Sequence, residues 1–350
     1  MQKFRFLTAG ESHGKALTAI IEGVPAGFSI DEDFINEELK RRQSGYGRGG
    51  RMKIETDRVE ITSGVRFGKT LGSPITLVIK NKDFENWQKI MSSSAQDLTD
   101  EKSFTTCRPG HADYAGSVKY GHKDLRNILE RSSARKTAIE VAVGAVAKLI
   151  LKEFGITADS RVLQIGNSQS DFNVEIDKAR EEGITLGGRF EVVFKNLPVG
   201  LGSYVHYDRK LDGKIAQMVM SIPAVKSVSI GDGEDAHRLN GREFHDEMFL
   251  ENGKIVRKTN HAGGLEGGMT NGEELVVRAN MKPIPTMRSP LNTVDLASLT
   301  ETTAHFERSD VCAVEACAVI AEARIACAIV DEFLLKFGGD SLDEMKTISI

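Results

Sequence analysis

The amino-acid sequence predicts an α+β fold, and two observations support this class. Strand-like runs come in groups and do not alternate regularly with helices, as they would in a doubly wound sheet. Two long helical segments are apolar around much of their circumference, which is typical of helices buried between two layers. The 350 residues contain no linker rich in proline, serine or charge. We therefore expect a single domain over residues 1–350.

The strands of this fold are predicted from short apolar and β-branched runs bounded by turn residues. There are seven of them, at residues 4–8, 17–21, 59–62, 75–79, 189–193, 225–230 and 274–280. Long ordered loops are expected near residues 43–53, 83–110 and 231–273. Loops of this length are uncommon inside a compact domain and usually carry function.

Four helices complete the predicted set. The helix at 31–43 begins with acidic residues and ends with basic ones, the order that the helix dipole favours. The helix at 133–154 is rich in alanine and stops before Gly155. Two more helices are predicted at 208–220 and 311–337.

Composition and charge exclude several classes of function. The net charge of −4 gives no overall attraction to nucleic acid or to an anionic membrane, so any affinity for anions must be local. No signal peptide or uncharged run of membrane-span length is evident, so a cytoplasmic protein is expected. The four cysteines have no zinc-like spacing and are expected to be buried, reduced thiols: Cys107, Cys312, Cys317 and Cys327. Cys107, beside Arg108, is the one that could be more reactive.

Two glycine-rich segments imitate nucleotide-binding loops. Residues 64–70 resemble a P-loop, but the glycines are one residue too close and a strand follows in place of the required helix. Residues 231–236 fit a loose dinucleotide fingerprint, but three carboxylates in that turn would repel a pyrophosphate. We reject the first segment and interpret the second as an acidic surface turn.

Two histidines lie in turns that suit acid–base chemistry. His111 follows Arg108 by three positions in a turn that Pro109 and Gly110 impose, and an imidazole beside a guanidinium suits work on an anion. His13 stands in a glycine-flanked loop next to Ser12. Side chains of adjacent residues diverge, so a Ser–His nucleophile pair is disfavoured and His13 is the better candidate as a proton donor. The alternative for both segments is a structural turn.

Arginines accumulate near a second group of glycines. Arg41 and Arg42 end the first helix, and Arg48 and Arg51 follow in a flexible loop that could close over a phosphate or carboxylate. A solvated basic loop and an RNA-binding segment are the alternatives, and the second is weakened because only Tyr46 supplies an aromatic ring.

The segments beginning at Arg131, Asn260, Lys282 and Glu307 each suggest a binding feature. Residues 131–135 place serines and arginines at the predicted start of the long helix, where backbone N–H groups attract a phosphate or a flavin. The glycine loop at 260–268 suits close packing of a flat ring, and residues 282–286 fix a lysine and a threonine at a strand end. Asp310 is expected to cap the last helix, so on the sequence alone it is a weak catalytic candidate.

Together, the order and spacing of these segments resemble the chorismate synthase family over nearly the whole chain. That family converts 5-enolpyruvylshikimate 3-phosphate (EPSP) to chorismate and phosphate by an anti-1,4-elimination that requires reduced FMN. The resemblance implies a β-α-β sandwich, in which antiparallel sheets flank a layer of buried helices, and a homotetramer. The substrate carries two carboxylates and a phosphate, which fits the many arginines.

The resemblance also implies roles for individual residues. His13 would protonate the departing phosphate, His111 would maintain the protonation state of the reduced flavin, and Asp310 with Ser12 would help the flavin accept the substrate proton. The substrate would be held by Arg42, Arg48, Arg108 and Arg135, with Arg51 as a further candidate. FMN would contact Arg131, Ser132, Ser133, Ala134, Ala224, Gly267, Lys282, Pro283, Ile284, Pro285, Thr286 and Arg308.

Some features depart from the family pattern or are left open by it. Ser309 stands where many members have histidine, and Pro223 stands where an asparagine often precedes the flavin-contacting alanine. No additional flavin-reductase domain is recognisable, so reduced FMN is expected from another source, such as an external flavin reductase. Some members use NADPH to reduce the flavin, and the resemblance does not decide this.

Two rival functions make different predictions. A flavin reductase, for which reduced FMN is the product, would consume NAD(P)H steadily without EPSP. An RNA-binding protein using residues 41–51 would bind RNA in a salt-sensitive way that neutralising Arg48 and Arg51 abolishes.

Overall fold

The computed structural model describes residues 1–49, 56–306 and 309–348, and two four-stranded antiparallel sheets dominate it. The first sheet has the order β1-β2-β6-β3, and the second has the order β7-β8-β14-β9. The strands of the first sheet are β1 Arg5–Ala9, β2 Ala16–Glu22, β3 Val59–Ser63 and β6 Ile75–Lys80. The strands of the second sheet are β7 Thr157–Ile165, β8 Gly188–Lys195, β9 Val225–Ile230 and β14 Leu275–Met281.

The two sheets repeat one topology. In each, the four strands in chain order stand in the spatial order first, second, fourth, third. Antiparallel pairing runs throughout, for example from Arg5 opposite Glu22 to Ala9 opposite Thr18 in the first sheet. The chain therefore builds the same four-stranded unit twice.

The α-helices are distributed between and around the sheets. They are α1 Glu32–Gln43, α2 Asp113–Tyr120, α3 Arg126–Ser132, α4 Thr137–Lys152, α5 Phe172–Glu182, α6 Leu211–Met220, α7 Gly241–Phe244, α8 Val314–Phe337 and α9 Leu342–Ile348. Helices α4 and α8 are buried along nearly their whole lengths. Helix α4 packs on β2 and β6, α8 packs on β7 and β8, and the two helices pack on each other. The predicted layered fold, antiparallel sheets around buried helices, is confirmed.

Four short hairpins occupy the connections. They are β4 Val65–Arg66 with β5 Lys69–Thr70, β10 Met248–Glu251 with β11 Lys254–Arg257, β12 Leu265–Glu266 with β13 Met269–Thr270, and β15 Asn292–Asp295 with β16 Thr300–Thr303. Two of these hairpins and α7 lie within residues 231–273, so the prediction of a continuous loop there is wrong. The first hairpin lies within residues 64–70, where Lys69 donates to Ser29 at 2.7 Å. A hairpin at this place agrees with the rejection of a P-loop.

The predicted start of the long alanine-rich helix is also wrong. Helix α4 begins at Thr137, after a single 3-10 turn and a separate helix, α3, that ends at Ser132. The Ser133 side chain accepts the N–H of Arg135 at 3.3 Å and so caps the short turn. The cap signal was correctly recognised but assigned to the wrong helix.

The buried thiols match their prediction. Cys107, Cys312, Cys317 and Cys327 are all free and buried. Burial raises the pKa of Cys317 and of Cys327 to about 12. Burial, with a contribution from Asp113, also raises the pKa of Cys107, so the suggestion of a more reactive thiol there is not supported.

The crossing of α4 and α8 depends on a glycine. A Cβ added at Gly144 would lie 2.3 Å from Cβ of Ala323 and 2.6 Å from its carbonyl oxygen. Because both helices are buried on all sides, neither can move aside without disturbing a sheet. We predict that Gly144→Ala lowers the free energy of unfolding by about 1–3 kcal/mol or more, the usual range for overpacking. Urea unfolding followed by circular dichroism measures this.

A matched control is available on α6. A Cβ at Gly213 would have Tyr207 O at 3.8 Å as its nearest neighbour. Gly213→Ala should raise stability by about 0.5–1 kcal/mol through helix propensity alone. Equal effects of the two substitutions would contradict the claim that the helix crossing is sterically limited.

Candidate active site

His13 is fixed by a residue from α3. The carboxylate of Glu130 lies 2.8 Å from His13 Nδ1, and its other oxygen accepts the His13 backbone N–H at 2.8 Å. The imidazole stacks on the ring of Trp87, with centroids 4.0 Å apart and an angle of 23° between the planes. The loop that carries His13 turns at Gly10, where φ is +108° and a Cβ would lie 2.3 Å from Ala16 O.

A buried group of cations lies beside this loop. Asn81, directly after β6, donates to Gly14 O at 2.7 Å and accepts from Arg135 Nε at 2.9 Å. Arg135 also donates to both oxygens of Asp57, at 2.7 and 2.8 Å. Arg42 joins the group from the end of α1, with Nη1 3.6 Å from Asp57 Oδ2. One carboxylate therefore faces two buried guanidinium groups.

The guanidinium of Arg42 is only partly satisfied by hydrogen bonds to the described residues. Its Nε donates to Thr137 and its Nη2 donates to Ala134 O, at 3.0 and 3.1 Å. Its Nη1 is buried and has no hydrogen-bond partner in the described part of the chain. Burial is the main cause that lowers the pKa of Arg42 to about 9; Asp57 opposes this shift, and the neighbouring charges of Arg135 and Arg48 add to it. A bound phosphate or carboxylate would relieve both conditions.

Asp310 belongs to the same region and does not cap the last helix. Helix α8 begins at Val314, after Ala313. The carboxylate of Asp310 instead accepts Gly49 N–H at 2.6 Å and lies 3.3 Å from Arg48 Nη1. The expectation of a helix cap is therefore wrong, and the aspartate has a partner in the predicted substrate loop.

The described part of the glycine–arginine loop is anchored to the protein. Gly47 O accepts Val311 N–H at 2.9 Å, and Tyr46 donates its hydroxyl proton to Asp177 at 2.8 Å. Residues 44–49 thus pack against the segment that leads into α8, and the flexibility expected of the loop stays a prediction. Arg51 lies outside the described residues, as does Arg308.

The second histidine has a buried carboxylate of its own. His111 Nδ1 lies 2.6 Å from Asp113 Oδ1 and 3.0 Å from Arg108 Nη2. Arg108 binds both oxygens of Asp113, each at 2.8 Å, and donates its backbone N–H to the same carboxylate. Burial alone would raise the pKa of Asp113, but the hydrogen bonds from Arg108 and His111 outweigh it and hold the pKa well below its usual range.

Contacts connect the His111 turn to the predicted flavin segment. Lys282 donates to Gly110 O through Nζ and to Ala224 O through its backbone N–H at 2.9 Å. Thr286 O accepts the Ser309 hydroxyl at 3.0 Å, next to Asp310. The segments around Ala224, Lys282, His111 and Asp310 therefore form one continuous region.

The cations of this segment fit an anionic cofactor. Burial, and then the nearby Lys226, lowers the pKa of Lys282. In the ranges that the structure covers, neither lysine forms an ion pair with a carboxylate. Two ammonium groups without acidic partners suit the phosphate or the anionic ring of a reduced flavin.

A cation–π bridge joins the two histidine clusters. The Arg126 guanidinium lies 5.2 Å from the Trp87 ring, which stacks on His13, and 5.0 Å from the Phe104 ring. Arg108 lies 5.5 Å from the same Phe104 ring. Both clusters thus belong to one packed region, and neither is an isolated surface turn.

Other predicted cofactor residues have structural contacts. Arg131 donates to the carbonyl oxygens of Thr8 and Gly10, at 2.8 and 2.9 Å, and so ties α3 to the His13 loop. The Ser132 hydroxyl donates to Ile128 O, while Ser133 accepts from the Ser12 hydroxyl at 3.1 Å. These contacts hold the site together, and direct binding of FMN by these residues stays a prediction.

Gly267 stands apart from the rest of the predicted flavin contacts. It lies in the turn between β12 and β13, where the neighbouring Gly268 accepts Leu211 N–H at the start of α6. Ala224 follows the other end of α6, so ten helical residues, about 15 Å, separate the two regions. The structure does not bring Gly267 together with Ala224 and Lys282.

The acidic turn at 231–236 forms ion pairs that fit its interpretation. Asp232 pairs with Arg278 at 2.8 Å and with His261 at 2.7 Å, and Glu234 pairs with Arg189. Its carboxylates are thus engaged by side chains of the protein. Among the described residues no cluster of metal-ligating side chains occurs, and no described helix is long and apolar enough to cross a membrane.

Reasoning from the sequence assigned no role to several residues of the site. Glu130 and Asp113 lie inside recognised motifs, but Asp57 and Trp87 carry no local signal. Arg135 lies 54 positions from Asn81 and 78 positions from Asp57 in the chain. A polar residue directly after a strand, as at Asn81, is the one hint that the sequence offered.

Fold and site together define an enzyme for acid–base chemistry on a small substrate with several negative charges. The chorismate synthase family model matches residues 4–334. Chorismate synthases of Thermoanaerobacter pseudethanolicus and Caldanaerobacter subterraneus are 54% and 55% identical, each over 98% of this chain and 96% of the relative. A chorismate synthase crystal structure superposes with a TM-score of 0.81 at 41% identity, and the match covers 100% of this chain and 97% of that one.

The chain belongs to the chorismate synthase family. Its reaction is the family's elimination of phosphate from EPSP to give chorismate, the final common step toward the aromatic amino acids. It is a carbon–oxygen lyase, and its family depends on a reduced flavin.

The buried Arg108–Asp113 pair generates a prediction on stability. Asp113→Asn would leave Arg108 buried opposite a neutral side chain, so we expect a loss of about 3–5 kcal/mol at pH 7. The pKa of Asp113 is lower in the folded chain than its ordinary value of 3.8, so its carboxylate stabilises the fold fully above about pH 5. That contribution fades as the pH falls below about 4. Urea unfolding at pH 7 and at pH 3 should show the gap between wild type and variant shrinking in acid.

His206 and Asp208 supply the matched control. They have the same spacing and the same Nδ1–carboxylate bond, at 2.8 Å, but both are exposed. Asp208→Asn should leave stability nearly unchanged at both pH values. A gap for Asp113→Asn that stays constant with pH would contradict the assignment.

Proposed function

We propose that this chain holds EPSP where the buried arginines meet the two histidine turns. Arg42, Arg48, Arg108 and Arg135 would bind its phosphate and two carboxylates, with Arg51 as a fifth candidate. The observation that carries the proposal is Arg42 Nη1, a buried donor that lacks a hydrogen-bond partner in the part of the chain described. Its contact with Asp57 at 3.6 Å is too long for a hydrogen bond, so a bound anion could accept from this donor.

His13 would protonate the phosphate as it leaves. The ring is nearly buried, next to the cation group, and held on one face by Trp87. A proton on the leaving oxygen removes the charge that would otherwise develop as the carbon–oxygen bond breaks. The two electrons of that bond leave with the phosphate.

His111 would serve the cofactor, which we propose to be FMN. Residues 282–286 and Ala224 would hold it beside His111, because Lys282 already contacts the His111 turn through Gly110. When bound, the reduced flavin supplies an electron-rich ring that assists the departure of phosphate. His111, hydrogen-bonded through Nδ1 to Asp113, would maintain the protonation state of the reduced flavin.

Asp310 and Ser12 would assist removal of the substrate's C–H proton. Asp310 is oriented by Gly49 N–H and Arg48, and Ser12 donates to Ser133 beside His13.

We further propose a homotetramer in the cytoplasm that receives reduced FMN from an external flavin reductase. A chain that reduces FMN itself would consume NADPH in the presence of FMN alone. That result would overturn the proposal of an external flavin reductase. The rival function as a flavin reductase requires the same consumption without any formation of chorismate from EPSP.

Alanine substitutions test the two histidine roles. Under anaerobic conditions with dithionite-reduced FMN and EPSP, His13→Ala and His111→Ala should each lower kcat by about 10²–10⁴-fold, the usual worth of an acid–base group. Release of phosphate and formation of chorismate are followed together. His206→Ala is the control, because it removes an exposed histidine with a similar Nδ1–carboxylate bond.

Circular dichroism establishes that each variant is folded. Turnover near the wild-type rate in both variants would remove the histidines from the mechanism. Loss of turnover in the His206→Ala control would show that the assay reports damage to the fold.

A further inference from the structure

Glu130 makes more contacts with the His13 loop than a chance neighbour would. Its two carboxylate oxygens bind His13 Nδ1 and the His13 backbone N–H, each at 2.8 Å. Its backbone carbonyl accepts Ser12 N–H, also at 2.8 Å. The carboxylate is buried, and Arg126 Nη1 lies 3.7 Å from the oxygen that contacts the imidazole. One residue of α3 thus fixes both the backbone and the ring of His13.

We propose that Glu130 is a positioning residue that sets the tautomer of His13. A carboxylate can only accept at this distance, so Nδ1 carries a hydrogen and Nε2 is the nitrogen left to exchange protons with a ligand. This inference rests on the proposed role of His13 as the acid.

The proton balance of the step follows from this arrangement. The doubly protonated ring gives its Nε2 proton to an oxygen of the departing phosphate. The phosphate takes with it both electrons of the broken carbon–oxygen bond. The hydrogen on Nδ1 stays in place, so the neutral ring that results is the tautomer that Glu130 already stabilises. Glu130 serves only as the acceptor of the Nδ1 hydrogen, and a proton taken up from solvent returns to Nε2 after product release.

The bond to Glu130 selects which edge of the imidazole faces that carboxylate, in a ring plane held by Trp87. Its indole stacks on the imidazole at 4.0 Å, and Lys102 Nζ lies 3.9 Å from the indole centroid. A flipped imidazole would turn Nδ1 away from Glu130 and lose the hydrogen bond in a buried place, which is costly. Because Trp87 is the only tryptophan of the chain, its fluorescence reports on the surroundings of this one ring.

Glu130→Gln is the decisive variant, since it conserves shape and changes one hydrogen bond. The amide oxygen can still accept the His13 backbone N–H, but the amide nitrogen then donates to Nδ1 and forces the hydrogen onto Nε2. We expect kcat to fall about 10²–10⁴-fold, as for other histidines that lose an orienting carboxylate. KM for EPSP should change less than about threefold, because Glu130 touches no substrate group.

The readout that a merely structural role would not move is the tautomer itself. In ¹⁵N NMR spectra of the full chain labelled on histidine, recorded at a pH high enough for the ring to be neutral, the His13 signals should change from the Nδ1–H to the Nε2–H pattern in Glu130→Gln. Glu130→Asp, which keeps a carboxylate, should retain the Nδ1–H pattern and recover part of kcat. Glu332→Gln, which breaks a buried ion pair with Lys214 elsewhere, should change neither.

The outcomes separate this inference from the proposed function. Near-normal kcat or an unchanged tautomer in Glu130→Gln, with His13→Ala inactive, overturns the positioning role alone. Near-normal kcat in His13→Ala overturns the proposed acid and the positioning role with it. If Glu130→Gln does not fold, as judged by circular dichroism, then Glu130→Asp decides: an Nε2–H pattern in that variant overturns the inference.

Discussion

The close crossing of the two central helices determines where the site can form. Contact at Gly144 and Ala323 sets the distance between the helices, and each helix carries one of the sheets. The site uses the ends of these helices: Arg135 and Thr137 lie at the start of α4, and Asp310 lies just before α8. A change in helix spacing would therefore alter the distances between groups that must act on one substrate.

Buried ion pairs fix helix α1 against the two central helices, α4 and α8. Lys148 of α4 contacts both Glu38 of α1 and Glu322 of α8, and Arg41 donates to the same two carboxylates. Arg42 is the next residue, and it points into the site. The anchoring of Arg41 to the helix layer thus determines where the donor Nη1 of Arg42 stands, at a position where a ligand's negative charge would complete the balance.

Local patterns in the sequence predicted the strands, the helix layer and most of the site's cations, because apolar periodicity and glycine turns are local properties. The errors came from competition between neighbouring signals. Ser133 and Asp310 both have cap-like positions, but a 3-10 turn and a contact with Gly49 use them instead. Partners such as Glu130 and Trp87 could not be assigned, since only the fold brings residues so far apart in sequence together. Burial also separates the His111 pair from the exposed His206 pair of identical spacing, and spacing alone does not reveal burial.

We infer that one bound substrate contacts residues from both halves of the chain. A crystal structure of the complex with FMN and EPSP tests this most directly. We expect the EPSP phosphate within hydrogen-bond distance of Arg42 Nη1 and His13 Nε2, with the flavin between the His111 turn and residues 282–286. A phosphate that contacts neither Arg42 nor His13, or a flavin bound away from His111, would contradict it.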